Sequence, residues 1–121
     1  MNKFVLKILA IVEHCAIARN PNTPPEGLEM LAIDEDGEVR WRVADNPNTP
    51  LKTLEKLATD KDVDVRSHVA RNLNTPPEVL EKLADDKHYI VRCYVARNPR
   101  TPKYIKIYSC YKNYLNYYGQ I

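Results

Sequence analysis

The string Asn-x-x-Thr-Pro occurs four times, opening at Asn20, Asn46, Asn72 and Asn98, each copy 26 residues after the last. Other positions keep the same step. Ala18, Ala44, Ala70 and Ala96 do so, as do Thr23, Thr49, Thr75 and Thr101. So do Leu28, Leu54 and Leu80, then Leu31, Leu57 and Leu83, and the pairs Val39-Arg40, Val65-Arg66 and Val91-Arg92. A gapless period in this range specifies stacked supersecondary units, none of which buries its apolar face alone. The large aliphatics of one copy, Leu54, Leu57, Val65 and Val69, gain roughly 1.5–3 kcal/mol each on burial. Ordering the copy costs on the order of 1.5 kcal/mol for every residue in it. The array therefore folds as a whole, with specialised ends.

Each copy reads as two helices. Thr75-Pro76-Pro77-Glu78 has the form of a helix start, with Thr as N-cap, Pro at the first helical position and Glu closing a capping box. Thr23-Pro24-Pro25-Glu26 repeats it, whereas Thr49 and Thr101 are followed by Lys52 and Tyr104 at the Glu position. Leu80, Leu83 and Ala84 then lie on one helical face. An Asp-rich loop, such as Asp60-Lys61-Asp62, offers anionic caps to a second helix. That helix buries Val65, Val69 and Ala70 and ends at Asn72, where an Asn-Pro step in the other copies discourages continuation. Leu73 replaces this proline and predicts a softer boundary.

The pattern Val-Arg-x-x-Val-Ala-x-Asn-Pro-x-Thr-Pro-x-x-x-Leu-x-x-Leu-Ala resembles the leucine-rich-repeat variant family over roughly Ile17 to Pro102. The resemblance implies an all-α fold, a right-handed α-α superhelix related in shape to HEAT repeats. The expected organisation is one repeat domain over residues 1–121. It comprises a cap and partial repeat at 1–19, repeats at 20–45, 46–71 and 72–97, and a degenerate repeat with a Tyr-rich cap helix at 98–121. The founding member of the family is associated with a cysteine cluster that holds an iron–sulfur centre. Cys15, Cys93 and Cys110 are isolated from one another, so no cofactor is expected here.

The two ends depart from the period. Residues 1–12 read as a capping helix, although their apolar run also has the look of a targeting segment interrupted by Lys7. At the other end Tyr104, Tyr108, Tyr111, Leu115 and Tyr118 form an aromatic stripe at helical spacing. This stripe is expected to cover the last apolar face, or else to offer a surface for self-association. Cys110 falls at the small-residue position of Ala32, Ala58 and Ala84 and reads as core. A net charge of +2 from 18 basic and 16 acidic residues gives no strong pull toward nucleic acid or membrane. Three cysteines without a disulfide-like framework suit a reducing, cytoplasmic setting.

Chemistry-bearing constellations are few. Asp34, Asp60 and Asp86 precede Arg40, Arg66 and Arg92 by six residues. An anion-binding row is one reading; a ladder of Asp–Arg pairs that ties successive repeats together is the favoured one. The segment Asp60–Asp64 imitates a calcium loop, but Val65 stands where Gly is needed and Arg71 where Glu is needed. His14, His68 and His88 fall at different phases, so neither metal binding nor catalysis is expected. What remains is the solvent side of the second helices, which varies from copy to copy. Exposed Trp41 and Tyr94 beside Arg42, His68, Arg71 and Arg97 would form a ridge that binds a protein or peptide. The alternative is a nucleic-acid-binding module using Arg19, Arg71, Arg97 and Arg100, a row that Asp45 breaks.

Overall fold

The computed structural model describes residues 1–119 and holds eight helices and no strand among them. They are α1 (Lys3–Arg19), α2 (Pro25–Leu31), α3 (Gly37–Asp45), α4 (Leu51–Leu57), α5 (Val63–Arg71), α6 (Pro77–Leu83), α7 (Tyr89–Arg97) and α8 (Lys103–Tyr118). The short helices α2, α4 and α6 and the longer α3, α5 and α7 alternate, and each series advances by 26 residues. The architecture is a helical repeat solenoid.

The second helices carry the continuity of the stack. α1 packs on α3, α3 on α5, α5 on α7 and α7 on α8, while each short helix packs on the longer helices that flank it in sequence. Between the layers lies one strip of core. Leu28, Leu54 and Leu80 point into it from the short helices, and Val39/Val43, Val65/Val69 and Val91/Val95 from the long ones, all without solvent exposure. Such side chains stabilise by roughly 1.5–3 kcal/mol each. The period thus becomes a core whose residues meet their own equivalents one layer away.

The Asn-x-x-Thr-Pro string does more than stop a helix. Asn46 donates through Nδ2 to the carbonyls of Ala18 and Asn20 at 2.7 and 2.9 Å, both in the preceding copy. Asn72 reaches Ala44 and Asn46 in the same way, and Asn98 reaches Ala70 and Asn72. Each Oδ1 accepts the backbone N–H two residues on, from Asn48, Asn74 and Arg100. These amides therefore satisfy the helix-end carbonyls of Ala18, Ala44 and Ala70, and add a second donor to the Asn20, Asn46 and Asn72 carbonyls, which also accept from the N–H groups of Thr23, Thr49 and Thr75.

Threonine takes a different role from the N-cap expected of it. Thr23, Thr49, Thr75 and Thr101 donate their hydroxyls to the carbonyls of Ile17, Val43, Val69 and Val95 at 2.6–2.7 Å, closing the end of the previous helix. The N-cap positions fall on Pro24, Pro50, Pro76 and Pro102, none with a side-chain cap bond. Proline has no N–H to leave orphaned there. Nor does Leu73 soften its boundary: α5 stops at Arg71, in register with α3 and α7. The Asn and Thr hydrogen bonds, rather than the proline, set the end.

At the ends, three features differ from what the sequence predicts. Only the C-terminal half of α1 packs, through Ile11, Cys15 and Ala18, because α3 is about half as long. Phe4, Leu6, Leu9 and Val12 stay exposed. On α8 the aromatic stripe faces solvent, with Tyr104 65% and Tyr111 58% exposed. The face turned toward the array is Thr101, Ile105 and Ser109, at 4%, 3% and 0%. Cys110 is exposed, not core, since the buried face runs through Ser109 beside it.

Asn72→Ala is expected to cost about 1–3 kcal/mol, because it strands the buried Ala44 carbonyl. Asn20→Ala, whose side chain accepts only from Asn22 N–H, should cost below about 1 kcal/mol. Urea denaturation of the two variants checks the contrast.

Candidate functional site

Two rows of side chains run along the array, one structural and one turned outward. The structural row is the Asp–Arg ladder. Arg40 donates from Nε to Asp60 Oδ2 at 2.9 Å and from Nη2 to Asp60 Oδ1 at 3.3 Å, while Nη1 reaches the Asp34 carbonyl of its own copy. Arg66 repeats the geometry with Asp86 and the Asp60 carbonyl. These fork-to-carboxylate pairs are almost fully buried, the side chains being 9% and 11% exposed in one and 8% and 8% in the other. The Asp60 hydrogen bond and charge hold the Arg40 guanidinium above its already high ordinary pKa. The same aspartates accept the N–H groups of Asp36, Asp62 and His88, which begin the second helices. Asp36, Asp62 and His88 then cap those helices with their own side chains.

His14 belongs to this row. It stands 26 residues before Arg40, and its Nδ1 lies 2.8 Å from Asp34 Oδ2. The phase of His14 was readable in the sequence, but a comparison of the histidines with one another hides it. The three histidines do not converge: His68 contacts the Asp64 carbonyl and His88 caps α7.

The outward row contains the six residues expected to bind a partner, brought together in two linked groups. Trp41 of α3 stacks on His68 of α5 with ring centroids 4.4 Å apart, and the Arg42 guanidinium lies 4.1 Å from the indole centroid. One helix further, Arg71 of α5 lies 5.5 Å from the Tyr94 ring of α7. α5 contributes to both groups, so the contacts step across three consecutive second helices. Arg71, Tyr94 and Arg97 line a shallow cavity of about 240 Å³ with Leu73, Asn98 and Pro99.

Trp41 and Tyr94 are half-buried rather than exposed, and both pack against the core. The reason is local: Ser67, 26 residues after Trp41, is small and buried, which leaves room for the indole to lean onto α5. Arg42 is held at home by Trp41 and by a 3.7 Å contact with Glu38, and its buried Nε has no hydrogen-bond partner among the described residues. Arg71 and Arg97 are exposed and form no ion pair among the described residues. Of the row proposed for nucleic acid, Arg100 donates to the Leu73 carbonyl and Asp45 remains exposed between Arg19 and Arg71.

Cys15 is not set up as an activated nucleophile. Burial, then the charge of Glu38, pushes the Cys15 thiol above its ordinary pKa. Among the described residues no group of three or more His, Cys, Asp or Glu side chains could hold a metal ion. No helix among them is long and apolar enough to cross a membrane.

The sequence model of the leucine rich repeat variant family matches residues 63–88. That stretch is one period long, from the first residue of α5 to the N-cap of α7. The segment is similar to a leucine rich repeat variant unit. Repeats of this family are helical modules commonly involved in protein interaction. Comparison with curated proteins and with solved structures returns no match.

Two outcomes follow from the pairs. Asp86→Ala strands the Arg66 guanidinium and should cost about 3–5 kcal/mol in chemical denaturation. In the same loop as Asp86, hydrogen bonds from Lys112 and then Tyr108 hold Asp85 below the usual carboxylate range. A depressed folded-state pKa stabilises above the unfolded value and is lost as pH falls through the folded one. Lys112→Met should therefore move the Asp85 carboxyl titration, followed by NMR, up toward the ordinary range.

Proposed function

We propose that the protein is a non-catalytic scaffold that binds a protein or peptide along the ridge of its second helices. The single observation that carries this reading is the Arg71–Tyr94–Arg97 cavity. Two exposed cations with no carboxylate partner among the described residues flank an aromatic ring there, next to the Trp41–His68 stack. Arginine and aromatic side chains are common interface anchors because they combine apolar area with directional donors. The partner segment that suits this chemistry is acidic. In this reading residues 20–45, 46–71 and 72–97 are the repeats that display the ridge, with 1–19 and 98–121 as end units, and the setting is cytoplasmic.

The variable positions support the same view. Trp41 is followed at its phase by Ser67 and Cys93, and Arg42 by His68 and Tyr94, while the Val and Leu core positions persist. A fixed scaffold with a changing outer row can be read by one extended ligand.

The test uses Trp41, the only tryptophan of the chain, as its reporter. Acidic peptides selected against the wild type should change its fluorescence on binding. Arg71→Glu/Arg97→Glu, both exposed, should weaken those peptides by about tenfold or more while the melting temperature stays nearly unchanged. Equal binding to the variant would remove the ridge as the site. A single-stranded oligonucleotide bound with steep salt dependence would move the function to nucleic acid. Trp41→Ala is the poorer probe, because the half-buried indole also supports the core.

A further inference from the structure

The Asp–Arg ladder sets His14 and three arginines against three carboxylates among the described residues. His14 meets Asp34, Arg40 meets Asp60 and Arg66 meets Asp86. Arg92 meets no carboxylate among the described residues. The next aspartate position of the period is occupied by Lys112, which turns away to Asp85 at 2.7 Å. Asn113 stands in: its Oδ1 accepts from Arg92 Nε at 2.9 Å, and its Nδ2 lies 3.6 Å from Cys93 Sγ. Arg92 Nη1 donates to the Asp86 carbonyl at 2.6 Å. Nη2, which finds a second carboxylate oxygen in the two preceding Arg rungs, makes no hydrogen bond among the described residues.

Arg92 is only 4% exposed. A neutral amide answers its donor but not its charge, and a buried charge without a counter-charge is a strong electrostatic demand. The guanidinium also lines a cavity of about 410 Å³ between α7 and α8, together with Lys87, Tyr89, Cys93, Asn113 and Tyr117. Two of those residues are cations and none is acidic. The volume lies in the range of small-molecule sites, which pair apolar walls with a few placed polar groups.

We infer that this cavity is a binding site for a small organic carboxylate with an aromatic or apolar body, held by Arg92. The ligand supplies from outside the carboxylate that the period supplies from within at the two preceding Arg rungs. A planar carboxylate matches the guanidinium fork, and Lys87 adds a second positive charge. Tyr89 and Tyr117 furnish the wall for the ligand body. None of the six ridge residues lines the cavity, so the inference does not depend on how the ridge is used.

The experiment is an NMR titration of the full chain, observing the arginine Nε signals at constant ionic strength. Its probes are benzoate, acetate (the carboxylate without the ring), benzamide (the ring without the charge) and phosphate. Benzoate and acetate should shift the Arg92 signal saturably, benzoate more tightly, and benzamide should leave it in place. Asn113→Asp places a carboxylate against Nε. It should raise the melting temperature and weaken benzoate by about tenfold or more. The inference fails if neither carboxylate shifts the signal, if benzamide matches benzoate, or if phosphate saturates where benzoate does not. It also fails if Asn113→Asp binds benzoate as the wild type does, or melts below the wild type.

Discussion

Three buried asparagine amides hold this molecule in register. Ending a helix inside a packed array leaves carbonyls where water does not reach, and each must find a donor. Asn46, Asn72 and Asn98 provide two donors each to the copy before them, while their oxygens accept from their own turns. The threonine hydroxyl of the same string closes a further carbonyl. Helix termination and attachment between repeats are therefore one chemical event. Apolar burial supplies the larger part of the stabilisation, but it would tolerate a sliding stack; the amides do not.

The opposite edge uses charge in the same way. Arg40 and Arg66 each join the loop of their own copy to the loop of the next, and the bonded aspartates also start the helices. With both edges tied, the surface of α3, α5 and α7 between them carries little structural duty. That freedom explains why Trp41, Ser67 and Cys93 can share one phase while Val39, Val65 and Val91 stay alike. The ridge and the Arg92 cavity arise from opposite circumstances. One lies where the repeat imposes nothing, the other where the repeat demands a partner the chain does not provide.

Much of this was legible in the sequence. The period, the two helices per copy, the Val and Leu core and the Asp–Arg ladder all follow from residue type and spacing. What escaped was how polar side chains divide among competing acceptors. Thr75 looks like an N-cap because Pro and Glu follow it, yet the Val69 carbonyl is nearer in the folded turn and captures the hydroxyl. Asn72 looks like a stop signal because its second role needs the neighbouring copy in place. On α8 the tyrosines keep the helical spacing that catches the eye, but the face that fits α7 is set by continuity with Thr101 and runs through Ile105 and Ser109. Five of the six ridge residues come into contact in two groups and Arg97 joins the second as cavity lining, whereas the half-burial of Trp41 depends on small Ser67 one helix away.

The asparagine geometry also limits how such a chain can change in length. Each amide reaches back 28 and 26 residues along the chain, so a single inserted residue anywhere between two rungs would draw donor and acceptor out of step. A whole unit of 26 would instead bring its own rung to each edge and present the old ends with familiar neighbours. Growth and loss are then quantised. A lineage built this way can lengthen its outer face by duplication without redesigning a single joint, and is penalised for almost any smaller edit.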